Sequence, residues 1–422
     1  MKIDQLELVN FKGFKKNTFH FNENNILLSA ENGNGKSSIL EAINLCLSKL
    51  ASNYVPTKPI VFSDDMIRNK TSQSSIEMRL LYKNKPVSFS LKKRRSSKSR
   101  GVSSAVFDKQ EVGELINDFR AVIDNESGNI PIIVYYPTQR NVIDVPSRIR
   151  TKHEFDQVSS YEDAFKSGVN FRTFFEWYRD EEDMENEGKL SVSLNHEDKK
   201  LAAVRKAIYS FLPGFSNLRI VRSRQKMSIE KNGEALAINQ LSDGEKCLLA
   251  LIGDLARRLA LANPSLNDPL FGEGIVLIDE IDLHLHPSLQ RKVMESLPTI
   301  FPNIQFILTT HSPQVMGSAN DFKVFLLENQ ESLVSEKITN ANLYGKDSNL
   351  ILESYMGTSS RDKEVQQMLD KLFVYLSTND INKSKEMYNA LLKILDSIDP
   401  DLKKAEYLIN RLERVNANEK NS

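Results

Sequence analysis

The chain has 422 residues, enough for two or three domains with a large core. Lysine plus arginine and aspartate plus glutamate each total 56, so the net charge is zero and any binding to nucleic acid or membrane has to be local. The two cysteines, Cys46 and Cys247, exclude a disulfide framework, and the absence of a signal peptide or of a long apolar stretch predicts a cytoplasmic protein.

The first residues show the alternation of a β-strand. Residues 3–11 alternate between apolar and polar side chains, and residues 14–21 are typical of a hairpin partner. The same alternation returns over residues 75–92. We expect these segments to form one antiparallel β subdomain.

A glycine-rich loop at residues 30–37 (AENGNGKS) lies between an apolar run and an amphipathic stretch, in the order strand, loop, helix. Such a loop directs backbone N–H groups at phosphate oxygens, while its lysine reaches the β and γ phosphates and its hydroxyl binds Mg²⁺. Ala30 replaces the usual first glycine, which is acceptable only if this position needs no positive φ. The residues expected to bind ATP here are Asn32, Gly33, Asn34, Gly35, Lys36, Ser37 and Ser38.

A basic run at residues 91–100 (LKKRRSSKSR) is expected to lie in a hairpin loop. Lys92 to Arg100 could follow the phosphate backbone of DNA. A solvated or disordered loop is the alternative, because few aromatic side chains that could stack on bases lie among these cations.

Residues 130–136 resemble a strand that leads into Gln139 and Arg140. Gln139 is a candidate Q-loop glutamine that would sense Mg²⁺ and the attacking water, and Arg140 could pair with phosphate. Spacing alone leaves this assignment open. Tyr135 and Tyr136 are expected in the core or beside the adenine.

Helical patterns around residues 110–124 and 159–183 predict helices on both sides of residue 140. Residues 171–187 join an aromatic helical face to a series of acidic side chains. We expect the aromatic side chains to form a local core. The acidic ones favour a solvated helix face over a metal site, because no His or Cys accompanies them.

Residues 241–246 (LSDGEK) precede a helical pattern and match the Leu-Ser-Gly-Gly-Gln signature of ABC-type ATPases. Asp243 and Glu245 are the variant letters. In this class the signature faces the γ-phosphate held by a second protomer, so the chain is expected to form an ATP-sandwiched dimer. The residues expected at that nucleotide are Ser242, Gly244 and Glu245.

Two further apolar strands end in polar residues. Residues 274–280 (GIVLIDE) end in two carboxylates, of which Asp279 is expected to hold Mg²⁺ and Glu280 to orient or deprotonate the attacking water. Residues 306–312 (FILTTHS) lead to His311, which can touch the γ-phosphate. Phosphoryl transfer needs mainly positioning and charge neutralisation, so a few groups suffice. The predicted catalytic residues are Lys36, Glu280 and His311, and the predicted Mg²⁺ ligands are Ser37, Asp279 and Gln139.

After residue 340 the pattern changes to helices at about residues 350–355, 363–378, 381–398 and 402–415, each with one apolar face. This helical appendix either caps the ATPase or docks an effector protein.

The sequence therefore predicts an α/β protein: an ABC-type P-loop ATPase head with an antiparallel β subdomain, a helical insertion and a C-terminal helical appendix. The predicted divisions are an N-terminal ATPase lobe at 1–140, a mostly helical insertion at 141–235, a C-terminal ATPase lobe at 236–340 and the appendix at 341–422.

These motifs, together with residues 8–14 (LVNFKGF) and 283–287 (LHLHP), resemble the standalone bacterial ABC/SMC-like ATPases with RecF-like heads. Within them the chain is most similar to the group that includes the PtuA ATPase subunit of Septu and retron-type anti-phage systems. The resemblance covers nearly the whole chain. It implies that residues 283–287 cross a dimer interface, and that a homodimer or higher homo-oligomer uses its ATP state to control a separate nuclease, commonly of the HNH type.

No nuclease site is evident in the sequence, so we do not expect the chain alone to cut DNA. Two alternatives stay open from the sequence. One is a RecF/SMC-like repair ATPase that clamps DNA without an effector. The other is an assembly scaffold that binds ATP and turns it over very slowly.

Overall fold

The computed structural model describes residues 1–30, 33–96, 104–125, 128–138, 154–166, 169–191, 193, 196–224, 226–330, 333–337 and 342–420. The chain divides into two compact units, Met1–Ser348 and Asn349–Ser422. Among the described helices, none combines the length and the apolar character needed to cross a bilayer.

The first unit contains three sheets within the described residues. Their strands are β1 (Lys2–Phe11), β2 (Phe14–His20), β3 (Asn25–Ala30), β4 (Gln73–Tyr82), β5 (Lys85–Arg94), β6 (Val106–Asp108), β7 (Ile132–Tyr136), β8 (Phe215–Val221), β9 (Lys226–Lys231), β10 (Glu234–Ala237), β11 (Gly274–Ile278), β12 (Ile304–Thr310), β13 (Phe322–Gln330) and β14 (Leu333–Lys337). Its helices are α1 (Lys36–Ala51), α2 (Gly113–Asp124), α3 (Phe171–Ser191), α4 (Lys199–Phe211), α5 (Asp243–Ala262), α6 (Pro287–Ile300) and α7 (Pro313–Gly317).

The central sheet has the strand order β14-β13-β3-β12-β11-β7. Its inner strands are parallel, and only β14 pairs antiparallel at the edge. All residues of β11 and β12 are buried, as expected for parallel strands that are covered on both faces. Because parallel strands end at the same edge, the residues that follow β3, β11 and β12 meet there. This edge brings the predicted nucleotide motifs together.

The antiparallel β subdomain forms as predicted, with the strand order β2-β1-β4-β5-β6. The β1–β2 hairpin closes with Phe11 opposite Phe14. Phe19 of β2 and Phe21, which follows that strand, make edge contacts with Phe325 of β13, at centroid distances of 6.4 Å and 6.0 Å. These aromatic contacts hold the subdomain against the central sheet.

The helical pattern over residues 159–183 is only partly correct. The structure has a short 3₁₀ helix at Val158–Tyr161, and α3 begins later, at Phe171. The Asn170 side chain accepts a hydrogen bond from the Thr173 N–H at 3.2 Å, which caps this helix start. The helical periodicity of the apolar residues does not show where α3 begins, but the capping residue Asn170 does.

Between residues 141 and 235, for which the sequence predicts mostly helix, the structure also has most of the antiparallel sheet β10-β9-β8. Asn232 and Gly233 form the β9–β10 turn with φ values of 51° and 87°. An Asn-Gly pair favours such a hairpin turn because both positions need positive φ. That local signal, rather than periodicity, predicts these strands.

Glu176, Glu181, Glu182 and Glu185 of α3 are buried, whereas Asp183 and Glu187 are exposed, so the predicted solvated face is wrong for the four buried carboxylates. Glu185 forms a bidentate pair with Arg205, at 2.8 Å and 3.1 Å, and Glu181 accepts from Lys200 at 2.6 Å. Burial raises the pKa of Glu181 despite that lysine. Among the described residues, no group of three His, Cys, Asp or Glu side chains is arranged to hold a metal. These carboxylates therefore join α3 to α4.

A second buried ionic cluster lies on α5. The Asp254 carboxylate accepts hydrogen bonds from Arg257 at 2.9 Å, from Arg258 at 2.7 Å and from the Tyr136 hydroxyl at 2.9 Å. Both arginine side chains are only 1% exposed, and Arg258 also donates to the Ser160 carbonyl at 2.7 Å. Tyr136 is thus a core residue that links β7 to α5.

The second unit consists of α8 (Ser348–Tyr355), α9 (Lys363–Ser377), α10 (Ile381–Leu392) and α11 (Pro400–Lys420). Predicted helix 381–398 is too long, because α10 ends at Leu392 and α11 begins at Pro400. The Asp399 side chain caps α11 by accepting from the Asp401 N–H at 3.0 Å. The buried core of this unit is formed by Leu369, Leu372, Leu376, Leu391, Leu402, Ala405 and Ile409.

We expect Asp254→Ala to lower the free energy of unfolding by about 3–5 kcal/mol, because it leaves two arginines buried without their carboxylate. Lys206→Ala is the matched control, since it breaks the exposed Lys206–Asp268 pair and should cost less than about 1 kcal/mol. Urea unfolding of both variants measures the difference. Equal losses in the two variants would contradict a structural role for the buried cluster.

Candidate functional site

The glycine-rich loop runs from β3 into α1. Gly35 has φ 91°, and a Cβ atom at this position would lie 2.7 Å from Cζ of Phe14. Glycine is therefore required here both by backbone conformation and by space. Ala30 is the last residue of β3 and does not have a positive φ, so an alanine is acceptable where a glycine is usual. Asn32 lies outside the described residues.

Lys36 is the first residue of α1, and its side chain turns back into the loop. Its Nζ donates a hydrogen bond to the Ala30 carbonyl at 2.7 Å, and the residue is 7% exposed. Burial lowers the pKa of Lys36. The carboxylates that oppose this shift are those of Asp279, Glu280 and Asp282. The lysine thus lies in the field of the acidic residues that follow β11.

The other loop residues differ in exposure. Asn34 is buried, Ser38 is half-buried, and Gly33 and Ser37 are exposed at the start of α1. Gly33 has φ 85°, which favours glycine. The Ser37 hydroxyl and the Asp279 carboxylate are oxygen donors, the type that Mg²⁺ prefers.

Asp279 and Glu280 directly follow β11 and are held by β12. The Thr309 hydroxyl donates to Asp279 Oδ1 at 2.5 Å and accepts from the Glu280 N–H at 2.7 Å. The Asp279 N–H donates to the Tyr136 carbonyl at 2.9 Å. Glu280 has φ 50°, a conformation that is costly for a residue with a Cβ. The backbone around the predicted catalytic carboxylate is therefore fixed by neighbouring strands.

A third carboxylate, Asp282, was missed by the sequence reasoning. Its Oδ1 accepts from the Thr310 hydroxyl at 2.6 Å, and that hydroxyl also accepts from the Ser312 N–H at 2.9 Å. His311, which lies between Thr310 and Ser312 in the sequence, is half-buried. The signal for Asp282 and Thr309 is the register of β11 and β12, which the sequence does not state.

We call residues 281–286 the 281–286 loop. His284 is exposed with φ 62°, whereas Leu285 is buried. Gln290 on α6 donates from Nε2 to the Leu285 carbonyl at 2.9 Å. Its Oε1 accepts from the Ser312 hydroxyl at 2.7 Å. The loop is therefore tied to the segment that contains His311.

The signature residues begin α5. Ser242 caps the helix, with the Glu245 carboxylate accepting from the Ser242 N–H at 3.0 Å in a capping box. Lys231 pairs with Glu245 at 2.8 Å. Burial opposes ionisation of Glu245, but the bonds from Lys231 and Ser242 outweigh it and lower the pKa. A Cβ on Gly244 would lie 2.6 Å from the His284 carbonyl oxygen, so the signature packs directly on the 281–286 loop.

Two other predicted sites have different outcomes. Gln139 and Arg140 lie outside the described residues, as do residues 97–100. Residues 91–94 of the basic run belong to β5, so the predicted hairpin loop is wrong for them. Lys93 is buried and pairs with Asp64 at 3.2 Å, while Lys92 and Arg94 are exposed beside it. A groove of about 490 Å³ adjoins these cations and is lined in part by Asn10, Ser74, Ser75, Lys92, Lys93 and Arg94.

The sequence matches the family described as "AAA domain, putative AbiEii toxin, Type IV TA system" over residues 31–317. It is similar to the Retron Vc95 probable ATPase of Vibrio cholerae, with 30% identity over 92% of this chain and 86% of that protein. It is also similar to the Septu protein PtuA of Bacillus mycoides, with 26% identity over 91% of this chain, but only 49% of that protein is covered. These similarities confirm the resemblance inferred from the motifs.

Among solved structures, the chain is similar to the SmcHead bound to the C-winged helix domain of ScpA. The TM-score is 0.50 at 17% identity, covering 80% of this chain and 97% of that chain. At this identity the likeness shows the fold, and it confirms the predicted SMC-head-like P-loop architecture.

We expect Thr309→Val to lower the free energy of unfolding by about 1–3 kcal/mol, since it keeps the side-chain volume but leaves the Glu280 N–H and the buried Asp279 carboxylate without their partner. Thr299→Val on the surface of α6 is the control and should change stability by less than about 0.5 kcal/mol. Denaturant unfolding curves compare the two. A Thr309→Val variant as stable as its control would contradict the bridging role of this hydroxyl.

Proposed function

We propose that this chain, which belongs to the family described as "AAA domain, putative AbiEii toxin, Type IV TA system", is an ATP-hydrolysing subunit of an anti-phage defence complex. The observation that carries the proposal is that Lys36, Asp279 and Glu280 follow β3 and β11, which both pair in parallel with β12 and so end at the same carboxyl edge of the central sheet. The retron and Septu names of its relatives support the defence assignment.

Each residue at this edge has a role in the proposed hydrolysis. Lys36 would exchange the Ala30 carbonyl for oxygens of the β and γ phosphates, and N–H groups at the start of α1 would join it. Ser37 and Asp279 would hold Mg²⁺, with Gln139 as the further ligand that the sequence proposes. Mg²⁺, when bound, supplies neutralisation of phosphate charge.

Glu280 would orient or deprotonate the attacking water, and His311 would contact the γ-phosphate from the neighbouring strand. The Glu280 backbone is held by the Thr309 hydroxyl at 2.7 Å, which fixes the point from which the glutamate side chain extends. Fixed donors and charges are what phosphoryl transfer mainly requires.

The signature supports an active state with two chains. Ser242 and Asp243 are exposed at the start of α5, where a second copy can reach them. Ser242, Gly244 and Glu245 would face the nucleotide held by that copy, as the signature does in ABC-type ATPases. The proposed unit is thus a head-to-head homodimer, or a higher oligomer built from it.

The proposed effector is a separate nuclease of the HNH type, controlled by the ATP state, as the resemblance to the ATPase subunits of Septu and retron-type systems implies. A second candidate is a repair ATPase that clamps DNA. The observation that favours DNA contact is the groove beside Lys92 and Arg94, whose exposed cations suit a phosphate backbone.

Glu280→Gln should reduce ATP turnover by about 100-fold or more, because it removes the proposed general base, and should accumulate dimer with ATP. Steady-state hydrolysis and native mass with and without ATP measure both effects, with Glu295→Gln on the exposed face of α6 as control. Normal hydrolysis by Glu280→Gln would remove Glu280 from the catalytic role.

The proposed partner is tested by measuring the native mass of the chain after co-expression with the product of the gene adjacent to its own. A complex that contains a nuclease is the expected result. A chain that stays alone and captures DNA would favour the repair clamp.

Lys92→Glu combined with Arg94→Glu should weaken binding of duplex DNA and flatten its dependence on salt, because fewer counterions are released. Fluorescence anisotropy at several salt concentrations measures both quantities. Lys85→Glu, an exposed charge reversal at the other end of β5, is the control. Unchanged DNA binding in the double variant would leave this strand end as ordinary surface.

A further inference from the structure

Two links through side chains, in addition to the backbone bond from the Ile281 N–H to the Thr309 carbonyl at 3.0 Å, join the segment around His311 to the 281–286 loop. Directly before His311, the Thr310 hydroxyl donates to Asp282 at 2.6 Å. Directly after it, the Ser312 hydroxyl donates to Gln290, which donates in turn to the Leu285 carbonyl. The histidine is therefore bracketed by two contacts to one loop.

The second link passes entirely through one side chain. Gln290 accepts at Oε1 from Ser312 at 2.7 Å and donates at Nε2 to Leu285 at 2.9 Å. The side-chain amide offers an acceptor at one end of the link and a donor at the other. Gln290 is half-buried near the start of α6 and is not part of the proposed nucleotide contacts.

The 281–286 loop also packs against the signature. Gly244 approaches the His284 carbonyl so closely that a Cβ would lie 2.6 Å from the oxygen. Backbone packed on backbone transmits a displacement, because no flexible side chain lies between the two segments. A shift of the 281–286 loop must therefore be felt at the start of α5.

We propose that Gln290 is a positioning residue that connects occupancy of the site at His311 to the placement of the signature in the same chain, and so couples ATP binding to dimerisation. The inference rests on the proposed ATP-sandwiched dimer. In that dimer each signature serves the nucleotide of the other copy. ATP in a chain's own site would thus prepare the surface that the chain presents to its partner.

The coupling is tested in the Glu280→Gln background, in which ATP is expected to stay bound because its hydrolysis is slowed. Gln290→Met keeps a side chain of similar length but removes both hydrogen bonds. Gln290→Glu keeps the acceptor for Ser312 and places a second oxygen against the Leu285 carbonyl, so it removes only the donor half. ATP affinity is measured by calorimetry at a protein concentration below the dimer dissociation constant, so that it reports the monomer, and the dimer dissociation constant with ATP is measured by sedimentation.

Both Gln290 variants should bind ATP with affinity within about twofold of the parent and dimerise about tenfold more weakly, a typical size for coupling between sites. Gln314→Ala is the matched control, because it removes another α6–α7 bond, from Arg291 at 2.6 Å, that does not reach the loop. It should dimerise like the parent.

Gln290→Met that dimerises like the parent would overturn the inference. So would a loss of ATP affinity equal to the loss of dimer, because Gln290 would then serve the nucleotide site itself. A parent that binds no ATP is a different result, which overturns the proposed function.

Discussion

The parallel pairing of β11 with β12 is the interaction on which the candidate site depends. It sets Ile278 opposite Leu308, so Asp279 and Thr309 follow side by side. The Thr309 hydroxyl can then bridge the Asp279 carboxylate and the Glu280 N–H. A slip of this register by one residue would turn those side chains to opposite faces of the sheet and separate the acidic residues from their support.

Helix α5 meets this edge of the sheet at two points along its length. Its first turn packs on the 281–286 loop through Gly244, and its interior carries Asp254, which accepts from the Tyr136 hydroxyl. Tyr136 in turn accepts the Asp279 N–H through its carbonyl. The helix that begins with the signature is therefore hydrogen-bonded to the end of β7, and the end of β7 is hydrogen-bonded to Asp279 after β11.

The motifs were predictable because each is a local pattern: a buried strand that ends in a polar group places that group at the sheet edge wherever the strand is parallel. Asp279 and His311 follow from this rule, and Lys36 follows from the glycine-rich loop between β3 and α1. The buried Glu185 does not, since its partner Arg205 lies on another helix and a helix pattern records no distant cation. Gln290 was missed for the same reason. Its role depends on the meeting of α6 with Ser312, which only the fold determines.

Lys36 already has a hydrogen-bond acceptor, the carbonyl of Ala30 in its own loop. An incoming ligand therefore competes with that carbonyl, and its affinity is the difference between two satisfied arrangements. A weak or singly charged anion gains little by such an exchange. A polyphosphate presents several charged oxygens to the lysine and the loop together, and so gains more. An exchange at Lys36 would therefore favour a polyphosphate over a small anion.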